Sequence, residues 1–170
     1  AYVAGGDRGL RILDLTNGMR ELGTFDTEGR KVNDVAVSAD GNTAYLANGA
    51  NGLLIVDVST PESPVLLGNY KFGDSAYGVT LSPDGNTVYV AGNESGVLVV
   101  DVSEPDSPTL LSTIVITDTI RLRTFVNKVV LSTDGTTAYV ASGGAGLYVV
   151  DVSTPANPTQ RSVLELERHP

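Results

Sequence analysis

The chain has 170 residues, enough for one domain with a sizeable core, and it carries nineteen glycines, three phenylalanines and no tryptophan. A formal net charge of −9 argues against a nucleic-acid partner and against adsorption to anionic lipid. The absence of cysteine excludes disulfides and thiolate metal sites, and no apolar run approaches the roughly 20 residues of a membrane-crossing helix.

The chain opens on AYVAGG, with neither an initiator methionine nor a signal peptide, which reads as a processed, trimmed or subcloned start. The loop GGDRG (5–9) and the apolar run LRILDLT (10–16) follow. The same two runs recur as AYLANG (44–49) with LLIVDVS (53–59), VYVAGN (88–93) with VLVVDVS (97–103), and AYVASG (138–143) with LYVVDVS (147–153). Their equivalent aspartates, Asp14, Asp57, Asp101 and Asp151, are spaced by 43, 44 and 50 residues, the last step being lengthened around 117–125. A period of this size points to a repeat architecture.

From residue 76 the order within one repeat is plain: YGVTLS, the turn PDG, TVYVAG, the turn NESG, VLVVDVS, the turn EPDSP, then TLLSTIV. Val, Leu and Thr fill the strand positions. Asp-Gly pairs at 40–41, 84–85 and 134–135 suit the positive φ of tight hairpins. Proline pairs at 61/64, 105/108 and 155/158 do not fit a central strand and mark loops. Four antiparallel strands in such a repeat make a β-propeller blade. The predicted fold is therefore all-β: a single β-propeller region over 1–170, with about four four-stranded repeats at 1–34, 35–75, 76–125 and 126–170. The first blade lacks its inner strand, because nothing precedes AYVAGG to supply it. Complete repeats begin near Val35, Val79 and Val129, giving fifteen strands where four full blades need sixteen. That count predicts part of a larger ring of six to eight blades, or self-association of two copies to close one. Uncovered blade faces invite aggregation.

GLLIVDVSTPESPVLLGNY and its relatives resemble the LVIVD-repeat family of propellers, and SPDGNTVYVAG is similar to the YVTN-type propeller repeat. The resemblance spans essentially the whole chain. It implies bacterial or archaeal exported or cell-surface proteins, hence an extracellular, periplasmic or cell-surface location, and it carries over no catalytic residue.

A residue present in every blade is read as structural, since a single site needs no fourfold copy. Asp14, Asp57, Asp101 and Asp151 precede Ser or Thr and are expected to accept backbone N–H bonds in the next turn. Tyr2, Tyr45, Tyr89 and Tyr139 share one position and are expected to pack. Function should sit where repeats disagree, on the face holding the inner-strand entrances and the loops between second and third strands. Asn33, Tyr77 and Asn127 correspond there, as do Asp34, Gly78 and Lys128. Arg121 and Arg123 in the longer step lie near the same rim. Asp34 and Lys128, two blades apart, are expected to face each other across an axial depression.

Catalytic signals are sparse. The single histidine, His169, is next to last, which removes Ser-His-Asp, Cys-His and His-rich metal chemistry. No phosphate-cradling GxxxxGK[ST] motif is present. SxDGNT differs from the sialidase Asp-box, which places its glycine elsewhere and ends in Trp. Paired carboxylates need only a suitable separation, but most acids here belong to repeat positions. Asp7, Asn51 or Glu94 with backbone carbonyls would offer calcium an all-oxygen site, though EF-hand spacing is missing and no cofactor is expected. The reading favours a non-enzymatic binding or scaffold module that presents variable loops to a protein or other macromolecule. The alternative is a hydrolase or lyase with carboxylates or a metal at the axis, completed by further blades.

Overall fold

The computed structural model describes residues 1–16, 18–116, 124–143 and 145–164. Among them fifteen strands form four antiparallel sheets and no helix. Blade one has three strands, β1 (Tyr2–Ala4), β2 (Leu10–Asp14) and β3 (Arg20–Phe25). Blade two holds β4 (Asp34–Val37), β5 (Thr43–Ala47), β6 (Leu53–Asp57) and β7 (Val65–Tyr70). Blade three holds β8 (Gly78–Leu81), β9 (Thr87–Ala91), β10 (Val97–Asp101) and β11 (Thr109–Ile114). Blade four holds β12 (Phe125–Leu131), β13 (Thr137–Gly143), β14 (Gly146–Asp151) and β15 (Thr159–Leu164). Strands pair in chain order within each sheet, as propeller blades do, and the first blade lacks its inner strand.

Short polar motifs fix the turns. In the first hairpin of blade two the Ser38 hydroxyl donates to Asp40 Oδ1 (2.5 Å) and accepts from the Thr43 N–H (2.9 Å). Gly41 takes the positive φ of 77° that an L side chain resists. Ser82 with Asp84 and Ser132 with Asp134 repeat the arrangement. At the end of the third strand, Asp101 Oδ1 accepts from both the N–H (2.9 Å) and the hydroxyl (2.7 Å) of Ser103. Asp14, Asp57 and Asp151 accept the equivalent N–H from Thr16, Ser59 and Ser153. Hydrogen bonds to Thr16, Ser59 and Ser103 hold Asp14, Asp57 and Asp101 below the ordinary carboxylate pKa.

Every outer strand carries a bulge at one place. Ile12 pairs with Gly23 but Leu13 with Glu21, leaving Leu22 as the extra residue. Leu67, Leu111 and Arg161 occupy the same extra position in the other blades. Within blade four Arg161 reaches Asp151 Oδ2 at 2.7 Å.

The hydrophobic cores are the seams between blades. Leu10 and Ile12 of blade one meet Val32, Ala44, Leu46 and Val56 of blade two. Tyr45, Ala47, Leu53 and Ile55 of blade two meet Val79, Val88, Val90 and Val100 of blade three. Tyr89, Ala91, Val97 and Val99 of blade three meet Val129, Val140, Tyr148 and Val150 of blade four. At about 1.5–3 kcal/mol for each large apolar side chain buried, these seams are the chief attraction between sheets. The central strands β6 and β10 are accordingly buried on both faces.

Backbone ties reinforce the seams. The loops between second and third strands make antiparallel bridges to the next blade's entrance, Gly6 to Val32, Gly49 to Ala76 and Asn93 to Val126. Outer strands press on the next proline loop. A Cβ added at Gly68 would stand 2.3 Å from Pro105 O, and one at Gly23 would stand 2.1 Å from Pro61 O. Ser112, at the same position, instead donates its hydroxyl to Pro155 O at 2.6 Å.

One expectation needs correction. Tyr45 and Tyr89 are packed, and half-buried Tyr2 donates its hydroxyl to Gly41 O (3.0 Å), but Tyr139 is 42% exposed. The same side chain is buried only where a following blade covers it.

Candidate functional site

Antiparallel strands bring the loops between second and third strands and the entrances to the inner strands to one face, and the three inter-blade bridges join them there. β4 lies against β8, and β8 against β12. This places Asp34, Gly78 and Lys128 in a row. Lys128 Nζ forms an ion pair with Asp34 Oδ2 at 2.5 Å, and the same oxygen accepts the Val79 N–H at 2.9 Å. One carboxylate of blade two thus holds the backbone of blade three and a side chain of blade four. Gly78 makes the reach feasible, because a Cβ there would lie 3.3 Å from Lys128 Cδ and 3.0 Å from Asn127 O. Asp34 is already doubly engaged, whereas Lys128, with 47% of its side chain exposed, retains donor capacity toward solvent.

Beside this row lies an open cavity of about 470 Å³, lined by Asp7, Arg30, Lys31, Asn33, Gly49 and Tyr77 among others. Asn33 is held in its wall by donation from Nδ2 to Ala76 O (2.8 Å), and Tyr77 is exposed on the rim. The side chains of Arg30 and Lys31 are exposed and form no ion pair among the described residues. The Asn48 amide, oriented to satisfy both its ends, donates to the carbonyls of Arg30 and Lys31 at 3.3 Å each and so fixes the entrance loop. Asn127 stands apart from this cavity, near Gly143, where an added Cβ would meet its Nδ2 at 3.0 Å. Arg121 and Arg123, like His169, lie outside the described residues.

Sequence reasoning passed over Asp74. It accepts from the Ser75 N–H (2.7 Å), Asn93 Nδ2 (3.0 Å), and the N–H and hydroxyl of Ser95 (3.2 Å each), tying an entrance to a neighbouring loop. Burial works against its charge, yet these bonds together keep it below the ordinary carboxylate pKa. The signal was a disagreement between repeats, since Arg30 and Thr124 stand at its equivalent positions. Asp7, Asn51 and Glu94 belong to the loops of three different blades. Among the described residues no three His, Asp or Glu side chains are grouped to hold a metal ion.

Four sheets joined by apolar seams, with inner strands side by side, define a β-propeller module. Residues 1–27, 29–71, 75–115 and 130–163 match the model of the LVIVD repeat, and the chain belongs to that repeat family. No curated protein sequence matches it. Its structure is similar to the periplasmic gluconolactonase PpgL of Pseudomonas aeruginosa, at 15% identity and a TM-score of 0.77, covering 98% of this chain and 54% of that one. It is also similar to the β-propeller domain of Cps50 (Swd1) from Myceliophteria thermophila, at 16% identity and a TM-score of 0.75, with coverage of 96% and 55%. Sqt1 from Chaetomium thermophilum is a third similar structure, at 17% identity and a TM-score of 0.75, with coverage of 96% and 42%. The chain thus spans about half the length of the solved structures it matches, and at these identities the likeness concerns the fold alone.

Proposed function

We propose that this chain is a non-enzymatic binding or scaffold module of an exported or cell-surface protein, whose loop face receives a macromolecular partner. The observation that carries this reading is the cavity of about 470 Å³ lined by Arg30, Lys31, Asn33 and Tyr77. It is built from positions at which the repeats differ, and its two cations stand exposed in a chain of net charge −9. The opposite face is made of hairpins whose aspartates are occupied by their own turns. A photo-crosslinking residue at Tyr77, compared with one at Pro83 on the hairpin face, tests it in an extract of the cell surface. One partner captured from Tyr77 alone, and lost when Arg30 and Lys31 become alanine, is expected. Equal capture from both faces, or none, overturns it.

A second reading is an axial hydrolase or lyase, favoured by the carboxylate and ammonium that meet at the axis and by the likeness to a protein named as a gluconolactonase. Incubation with glucono-δ-lactone separates the two. Turnover above buffer that disappears in Asp34→Asn would favour the enzyme, whereas a buffer-level rate in the native chain would favour the binding module.

A further inference from the structure

We infer that the outer end of the seam between blades one and two is a binding site for a neutral saccharide ring. The repeats themselves single the place out. Two residues beyond the outer strand, blade two carries Phe72 and blade three carries Ile116, and each packs into the seam that follows it. Phe72 lies over Gly92, where an added Cβ would stand 3.1 Å from its Cε2. In blade one the same position is Thr27, and Asn48 stands in place of Gly92. Both are buried and tied to the chain itself. The Thr27 hydroxyl donates to Arg30 O at 2.5 Å, and the Asn48 amide donates to the carbonyls of Arg30 and Lys31. An apolar closure is thus exchanged for a polar one.

Beside these two residues lies an open groove of about 220 Å³. Its apolar side is formed by Phe25, Leu54 and Leu66. Blade three has leucines at the positions of Leu54 and Leu66 as well, so that side belongs to the repeat. The polar side does not. Asn51, Asn69 and Lys71 stand where blade three has Ser95, Thr113 and Val115. Among the described residues the side chains of Glu28, Asn69 and Lys71 make no hydrogen bond or ion pair, and all three are exposed.

The lining narrows the ligand. Asp26 and Glu28 outnumber Lys71 among its charged groups, which disfavours a phosphate or a carboxylate. The Asn69 amide offers a donor and an acceptor together, Lys71 donates and Glu28 accepts. Neighbouring hydroxyls, each both donor and acceptor, match that mixture. Phe25 and the two leucines call for a C–H face on the same ligand. A pyranose ring carries both. The groove suits a single ring, being smaller than the roughly 300–1,000 Å³ of pockets for drug-sized ligands. An extended peptide would instead seek a strand edge, whereas side-chain ends supply the polar groups here. The site is distinct from the cavity at Tyr77. Thr27 and Glu28 line the groove while Arg30 and Lys31 of the same loop line the cavity, so binding here does not depend on a partner there.

The methyl glycosides of glucose, galactose, mannose and N-acetylglucosamine serve as probes. Each is titrated to millimolar concentration into the full chain and followed by NMR. At least one should shift the Asn69 side-chain amide and the Phe25 ring together, and saturably. Asn69→Thr with Lys71→Val, which installs the residues of the next seam, should weaken that binding at least about fivefold. Thr113→Ala, at the equivalent position one seam on, should leave it unchanged. No saturable shift with any of the four, shifts confined to other parts of the chain, or equal binding by the double variant overturns the inference. The same shifts produced by inorganic phosphate or by a capped alanine dipeptide would also overturn it, because the groove would then select an anion or a peptide.

Discussion

Blades three and four carry nearly the same words and meet opposite environments. Tyr89 in TVYVA is 1% exposed, whereas Tyr139 in TAYVASG is 42% exposed. Val97 is fully buried where Leu147, its counterpart, is not. The repeat specifies strands, turns and bulge equally in both, so local structure follows from the sequence of one blade. Burial does not, because each blade supplies only half of a seam. A repeat of this type is stable in proportion to its neighbours.

Paired substitutions test that contrast, and the largest effect belongs to the tyrosines. Tyr89→Ala should cost about 3–5 kcal/mol by opening a cavity in a closed seam, while Tyr139→Ala should stay within about 0.5 kcal/mol. Equal midpoint shifts in urea would break the comparison. Next come the outer strands. Gly68→Ala forces a methyl against the Pro105 carbonyl and should cost about 1–3 kcal/mol, while Ser162→Ala should be nearly silent in the same titration. Third, Asp101→Ala should cost about 1 kcal/mol or less, since solvent competes for the Ser103 bonds. A melting curve identical to that of the native chain would remove these turns from the account of stability.

Acid sharpens the comparison by cancelling it. The turn aspartates of both blades are held below the ordinary value of 3.8, Asp84 by Ser82, Asp134 by Ser132, and Asp151 by Arg161 and Ser153. Depressed folded-state values contribute stability that is fully present above the unfolded value and is lost as pH falls through the folded ones. The melting temperature should hold from pH 5 to 7 and decline below about pH 4, with blades three and four losing protection together in hydrogen exchange. Loss confined to one blade would show that the turns are not equivalent. The smallest effect is that of Lys128→Ala, within about 1 kcal/mol because the ion pair is half exposed.

What was legible in the sequence was whatever one blade determines alone. Ser-x-Asp-Gly and Asp-Val-Ser place a donor or acceptor two residues from its partner, and such contacts survive in any context. The strand order and the missing inner strand followed from counting these markers. Contacts between blades were harder to read. That Gly23 and Gly68 lie under proline carbonyls, or that Leu22 and Leu67 are bulge residues, depends on packing between sheets. At the candidate site, alignment of the repeats singled out Asn33, Asp34, Tyr77 and Lys128 by their disagreement. It did not reveal that Asp34 also accepts from Val79, nor that Arg30 and Lys31 line the cavity beside them. Those facts require the inner strands to be laid side by side.

The fixed position of the outer-strand bulge bears on how such a gene can change. One codon inserted between the third and fourth strands would displace the bulge and turn an outer strand over, exchanging its two faces. The connection from an outer strand to the next inner strand is under no such constraint. The step of 50 residues between Asp101 and Asp151, against 43 and 44 before it, adds length there while blade four keeps the shared bulge. Inherited insertions and duplications should therefore accumulate at these joints, where novelty can be gained without loss of the architecture.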